Sequence, residues 1–352
     1  MSPPLRFSMF LLAILASCAN HLPRPKGIPT VYATEEVPQA IEAARDELLL
    51  GDGTSAAIAH LAAAQAAPGL TTEQSATIQV LLVEAVSKRL EELRGSNAAN
   101  ELEALAELEL PRDLAVRASL ATARAMLNLG ERVDCHNYLV KVDGRYPLHA
   151  RRAESGRLLF EAGRSLATDQ ETYFWFRSYR PLASPVLEYF VQNHPEHADG
   201  PEAYALLAAI YEENRSFAEA IRRNRDLLLE YPGSHQAIAA RARIPHLRLA
   251  QLSSPEYDRT EMKVARDELV SWLDDNASHA MADEVRIDLA DCMQRLTDSD
   301  LAIARFYETV ENPAGFEFHA RRALEQAREG GNKEQIAEAL DLLAQATKTG
   351  AP

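Results

Sequence analysis

Six loop positions in this chain, Pro68, Pro111, Pro147, Pro195, Pro232 and Ala277, follow the same kinds of residue at fixed distances. Twelve residues before them stand Ala56, Ala99, Cys135, Ala183, Ala220 and Ala265, small in every copy. Twenty-four residues before them stand Ala44, Ser87, Ala123, Glu171, Ala208 and Ser253, small in five of six copies. Five residues before them come Ala63, Ala106, Val142, Phe190, Leu227 and Trp272, apolar throughout. Two helices approach to ~8–10 Å where small side chains face each other, and a proline stops the helix that precedes it. Three columns in phase therefore constrain the chain to tandem helical hairpins.

The anchors lie 43, 36, 48, 37 and 45 residues apart, a spacing that fits the tetratricopeptide class with its period of about 34 residues and short insertions. The expected fold is all-α, with tetratricopeptide-like helical hairpins stacked into an α-solenoid. The first hairpin is expected over Pro38–Leu50 and Thr54–Ala67, with Pro38 suited to a helix start and Gly51 and Gly53 in the turn. The second is expected over Thr72–Leu93 and Asn97–Leu110, and the third over Asp113–Leu129 and Val133–Asp143. The fourth is interrupted by ETYFWFRSYR (Glu171 to Arg180), and the sixth by SSPEYDRT (Ser253 to Thr260). The fifth, Pro201 to Pro232, is the most regular, placing Tyr204, Leu207, Ala208 and Tyr211 on one helix face and Phe217, Ala220, Ile221 and Leu227 on another. A seventh pair is expected over Ala280–Leu296 and Asp300–Glu311, then closing helices over Phe316–Arg328 and Lys333–Thr347.

At the N-terminus a single basic residue, Arg6, precedes an uncharged run from Phe7 to Ala16 and a small-residue site. That is the pattern of a secretory signal, too short to span a membrane. Leu15-Ala16-Ser17-Cys18 resembles the bacterial lipobox, which implies lipidation of Cys18 and cleavage just before it. Ala19 after the cysteine, rather than aspartate, implies sorting to the outer membrane by the same resemblance. Several acyl chains on one cysteine, at ~0.8 kcal/mol per buried CH₂, make such an anchor permanent. The stretch HLPRPKGIPTV (His21 to Val31) reads as an extended tether at ~3.1 Å per residue. The chain thus divides into a signal peptide over 1–17, a lipidated cysteine and tether over 18–36, divergent helical repeats over 37–180, and regular repeats over 181–348.

Lysine and arginine total 37 against 52 for aspartate and glutamate, a net charge of −15 that argues against nucleic acid as partner. Local arginine clusters, such as Arg151-Arg152, Arg222-Arg223, Arg241 with Arg243, and Arg321-Arg322, read first as solvated helix faces. Beyond Cys18 only Cys135 and Cys292 remain, too few for a disulfide framework, and both read as buried free thiols.

No glycine-rich phosphate loop, G-x-S-x-G elbow or H-E-x-x-H occurs. His194-Pro195-Glu196-His197 offers two imidazoles around a helix-stopping proline, short of the three or four ligands a metal needs. Asp288 and Asp291 share a helical turn and read as an acidic face. No catalytic residue, metal or cofactor is expected, and the chain reads as a scaffold. Tyr173, Phe174, Trp175, Phe176 and Tyr179 form the densest aromatic segment. It either fills an irregular gap between repeats or anchors a partner through Trp175 and Tyr179, since interface hot spots favour these types.

Four segments, His194 to Ile221, Leu227 to Ala242, Tyr257 to Leu269 and Leu301 to Leu324, resemble the BamD family of outer-membrane lipoproteins in the beta-barrel assembly machinery. The matching features include the YPGS step at Tyr231 to Ser234 and the ARFY run at Ala304 to Tyr307. The likeness covers roughly Pro185 to Arg328 together with the lipobox; the family pattern is five repeats, whereas this chain carries extra units between Val37 and Arg180. The resemblance implies a non-catalytic periplasmic scaffold whose C-terminal repeats grip a BamA-type barrel protein with periplasmic domains. Arg305, Arg321 and Arg322 are the residues to which it assigns that grip. The alternatives are a repeat lipoprotein coordinating peptidoglycan or division machinery, and a surface lipoprotein that binds glycans through the aromatic segment.

Overall fold

A computed structural model describes residues 22–349 except 52, 170, 171, 174–176, 179 and 253–258, with the backbone alone described at 172, 173, 177, 178 and 346–349. Among the described residues the protein is all-α, with fifteen α-helices that pack in consecutive pairs. They are α1 (Val37–Leu50), α2 (Thr54–Gln65), α3 (Thr72–Glu92), α4 (Ala99–Ala106), α5 (Arg112–Asn128), α6 (Arg132–Arg145), α7 (Arg152–Thr168) and α8 (Ala183–Asn193). The remainder are α9 (Gly200–Glu213), α10 (Phe217–Glu230), α11 (His235–Gln251), α12 (Arg259–Asn276), α13 (Ala282–Thr309), α14 (Pro313–Glu329) and α15 (Lys333–Thr349). They fall into two compact units, Met1–His197 and Ala198–Pro352. The first holds the hairpins α1/α2, α5/α6 and α7/α8 and a looser pair, α3/α4, whose helices pack mainly on α2 and on α5 and are tied by Arg89 to Glu101 at 2.8 Å; the second holds α9/α10, α11/α12 and α13/α14, closed by α15.

Within each unit the first helix of one hairpin also touches the first helix of the next, as α3 touches α5, α5 touches α7, α9 touches α11 and α11 touches α13. This is solenoid stacking, in which each repeat buries its apolar face against its neighbours. The residues in the apolar column, Ala63, Ala106, Val142, Phe190, Leu227 and Trp272, are all buried, and the six anchors are all exposed on loops. In the small column Ala99, Cys135, Ala183, Ala220 and Ala265 are buried, while Ala56 is half-buried and its neighbour Ala57 takes the core position.

Prolines end helices through the residue before them. Tyr146, His194 and Tyr231 cap α6, α8 and α10 with φ of −126°, −128° and −135°, outside the helical region because the proline ring disfavours helical backbone at the preceding residue. Helix starts use side-chain caps: Thr71 accepts from the Gln74 amide at 3.1 Å and Ser234 from the Ala237 amide at 3.2 Å. Trp272 centres the core of the second unit and donates its indole N–H to the Ile238 carbonyl at 2.8 Å.

Two stretches differ from expectation. The sequence predicts a break between Leu296 and Asp300, yet α13 runs without interruption from Ala282 to Thr309. Neither glycine nor proline occurs there, and the Asp300 carboxylate is taken by side chains of other helices, so it is not free to cap a new helix. The proline-rich stretch after residue 21 is pinned along α2: Leu22 is buried, Ser55 donates to the Pro23 carbonyl at 3.3 Å, and the Tyr32 ring stacks on His60. The segment joining α7 to α8 carries a two-residue antiparallel ladder, with Thr172 opposite Ser178 and Tyr173 opposite Arg177.

Candidate functional site

The long helix α13 lets one buried carboxylate collect partners from two other elements. Arg259, the first residue of α12, forks onto Asp300 with Nη1 at 2.6 Å from Oδ1 and Nη2 at 2.5 Å from Oδ2. His319 of α14 places Nδ1 2.7 Å from Oδ1, and Arg322 Nε lies 3.6 Å from Oδ2. Asp300 itself has no solvent exposure. Burial alone raises its pKa, but the hydrogen bonds from Arg259 and His319 and the charges of Arg259 and Arg322 outweigh it and hold the carboxyl below the usual range.

An aromatic chain lies above this carboxylate. Tyr307 stacks on His319 with ring centres 5.5 Å apart; Phe306 meets Tyr307 edge-on at 5.7 Å, and Phe318 meets His319 edge-on at 5.1 Å. Phe306 and Phe318 are exposed, at 60% and 55%. The Arg322 guanidinium sits 5.6 Å from the Phe318 ring centre, a cation–π contact. The first turn of α14 approaches Tyr307 so closely that a Cβ at Gly315 would fall 2.7 Å from its ring. Exposed aromatics held in place by packing, with arginines beside them, are the composition of an interface hot spot.

The three arginines assigned from sequence occupy different environments. Arg305 pairs with Glu338 of α15, and Arg321 with Glu317 one turn earlier on α14 at 2.5 Å; both side chains are mostly exposed. Arg322 is drawn inward onto Asp300 and Phe318. Phe306 and Phe318 escaped the sequence reading; the signal was present, as aromatics in FYET and FEFH on the polar side of amphipathic helices. Cys18, Trp175 and Tyr179 lie outside the described residues.

Along the first helices of the second unit runs a charged ladder. Arg243 of α11 forks onto Glu212 of α9 at 2.7 and 2.9 Å and reaches Glu284 of α13 at 2.6 Å. His246 Nδ1 lies 2.9 Å from Asp288 of α13, a hydrogen bond that raises the imidazole pKa against the opposing effect of burial. Arg243 and Asp288, expected on solvated faces, are thus ties between successive repeats.

The first unit has its own polar node. Asp143 is buried, accepts from Tyr189 at 3.2 Å and Ser155 at 3.3 Å, and lies 3.4 Å from His149 Nε2 and 3.6 Å from His194 Nε2. Of the histidines flanking Pro195, His194 belongs to this node and stacks on Phe190, while His197 packs edge-on against the same ring. Among the described residues no group of three or more His, Cys, Asp or Glu has metal-holding geometry. Cys135 and Cys292 are buried free thiols whose pKa burial pushes up to about 12 and about 11.

The fold defines a helical-hairpin repeat protein of α-solenoid type. No family model matches the chain, and no curated protein matches it.

Proposed function

We propose that this chain is a non-catalytic scaffold that binds protein partners through its helical repeats, with the aromatic–arginine patch on α13 and α14 as a principal docking surface. The observation that carries the reading is the pair of exposed rings, Phe306 and Phe318, held by Tyr307 and His319 above the buried Asp300. Exposed phenylalanines on a soluble surface cost solvation, and rings fixed in place lose little entropy when a partner covers them. The resemblance to BamD-type lipoproteins supports placing the scaffold in outer-membrane protein assembly. In that reading it is lipid-anchored through Cys18 at the periplasmic face of the outer membrane, and it engages a BamA-type barrel protein with tandem periplasmic domains.

The test is capture of the intact chain from its own membranes in mild detergent, with partners identified by mass spectrometry. Recovery of a barrel protein carrying periplasmic domains, lost in Arg305→Glu/Arg321→Glu, supports the proposal. Arg322 is left unchanged because its replacement would disturb Asp300. Recovery of wall-synthesis or division proteins alone would replace the assembly role with envelope coordination, and recovery of no protein would refute the scaffold.

A further inference from the structure

In the first unit a cavity of about 410 Å³ opens where three successive first helices meet, bounded by the end of α3, the turn into α4, α5 and α7. Five arginines line it, Arg94, Arg117, Arg124, Arg151 and Arg157, against two glutamates, Glu91 and Glu154. This is a concentrated positive surface in a chain whose net charge is −15.

The arginines are only partly neutralised. Glu91 is shared by Arg117 at 3.1 Å and Arg94 at 3.8 Å, and Glu154 is engaged by Arg151 at 3.0 Å. Arg124 reaches Glu161 through Nη1 at 2.7 Å, but its Nη2 is buried with no hydrogen-bond partner. Among the described residues Arg157 enters no ion pair. A buried donor without an acceptor is uncommon, and a ligand oxygen would satisfy it. Guanidinium forks match planar oxyanions, carboxylate above all, in two-point contacts.

A further feature sets the kind of anion. The floor is apolar, built from Leu90, Leu102 and Leu120. A small inorganic anion makes no use of that floor. An acidic peptide uses both the arginines and the floor, giving carboxylates to the first and an aliphatic side chain to the second.

We propose that this pocket binds an acidic segment of a partner protein, with glutamate or aspartate beside an aliphatic residue. The inference rests on the scaffold reading and adds a second, electrostatic contact to it.

The experiment uses the full chain and a fluorescein-labelled decapeptide of alternating glutamate and leucine, followed by fluorescence anisotropy. The expected result is binding that weakens with added salt, that the lysine–leucine counterpart does not reproduce, and that Arg94→Glu/Arg157→Glu weakens at least tenfold, ~1.4 kcal/mol. Both positions are exposed, and Arg94→Gln/Arg157→Gln, with an unchanged circular dichroism spectrum, reports the loss without charge reversal. Equal affinity in both double variants would overturn the proposal. Complete displacement by inorganic phosphate at the peptide's own concentration would overturn it too, assigning the pocket to a free oxyanion. Membrane capture is scored in parallel: partners recovered with no peptide binding refute the pocket alone, whereas no partner recovered by the wild-type chain refutes the scaffold.

Discussion

Replacing Asp300 with alanine removes the single anion from a cluster of Arg259, His319 and Arg322. Deleting one partner of a buried ion pair costs about 3–5 kcal/mol, because the remaining charge is stranded. The partners here retain 18%, 16% and 29% side-chain exposure, so water partly relieves them and the lower end, about 3 kcal/mol, is expected. For a folding unit of this size that corresponds to a drop of roughly 6–12 °C in melting temperature. Trp272 is 1% exposed in the same unit, so its fluorescence in a Trp175→Phe background follows the unfolding of that unit alone. The pH dependence has a definite sign. Asp300 titrates below its unfolded value of about 3.9, so its contribution is complete above that pH and is lost as pH falls through the lower folded value. Wild type and Asp300→Ala should therefore converge in stability in acid and separate near neutrality. An unfolding free energy from urea within about 0.5 kcal/mol of wild type at neutral pH, the range of ordinary surface substitutions, would show that Asp300 does not hold the cluster.

The His246 pKa is raised by its hydrogen bond to Asp288, so the stability it contributes is full below about 6.5 and lost as pH rises through the folded value; His246→Gln should flatten the stability profile in that window, and NMR titration should place the folded pKa above that of an ordinary imidazole. Arg243→Ala breaks a fork between repeats whose side chains are 33% and 20% exposed, and should cost about 1 kcal/mol in urea unfolding, discounted for solvent. Gly315→Ala sets a methyl 2.7 Å from the Tyr307 ring, and should cost about 1–3 kcal/mol of stability while altering partner capture through the displaced ring. Cys135 and Cys292, buried with raised thiol pKa values, should resist iodoacetamide in the folded chain and react in urea, read peptide by peptide in a mass spectrometer.

The repeat columns were legible because close packing of two helices dictates residue size at particular positions. Ala220, Ala265 and Cys135 are fully buried in the small column, and Trp272 and Phe190 occupy the same buried station as Ala63. What depends on partners far along the chain was not legible. Asp300 looked like a boundary residue because nothing local marks Arg259 and His319, 41 and 19 residues away, as its partners. The charged tie from Arg243 to Glu212 and Glu284 spans 31 and 41 residues, so Arg243 and its neighbours read as a solvated face. The exposed rings of Phe306 and Phe318 are the converse case: both fall off the apolar stripe of their helices, so local spacing alone marks them as surface aromatics.

Substitution of a photo-crosslinking amino acid at Phe318 in the full chain, irradiated in intact cells, reports whether a partner covers this patch. The expected result is a discrete adduct with another protein that the same amino acid at Leu229, an exposed apolar position on α10, does not form. The adduct should vanish in Arg305→Glu/Arg321→Glu. Equal labelling from both positions, or no adduct at Phe318, would contradict docking at this patch.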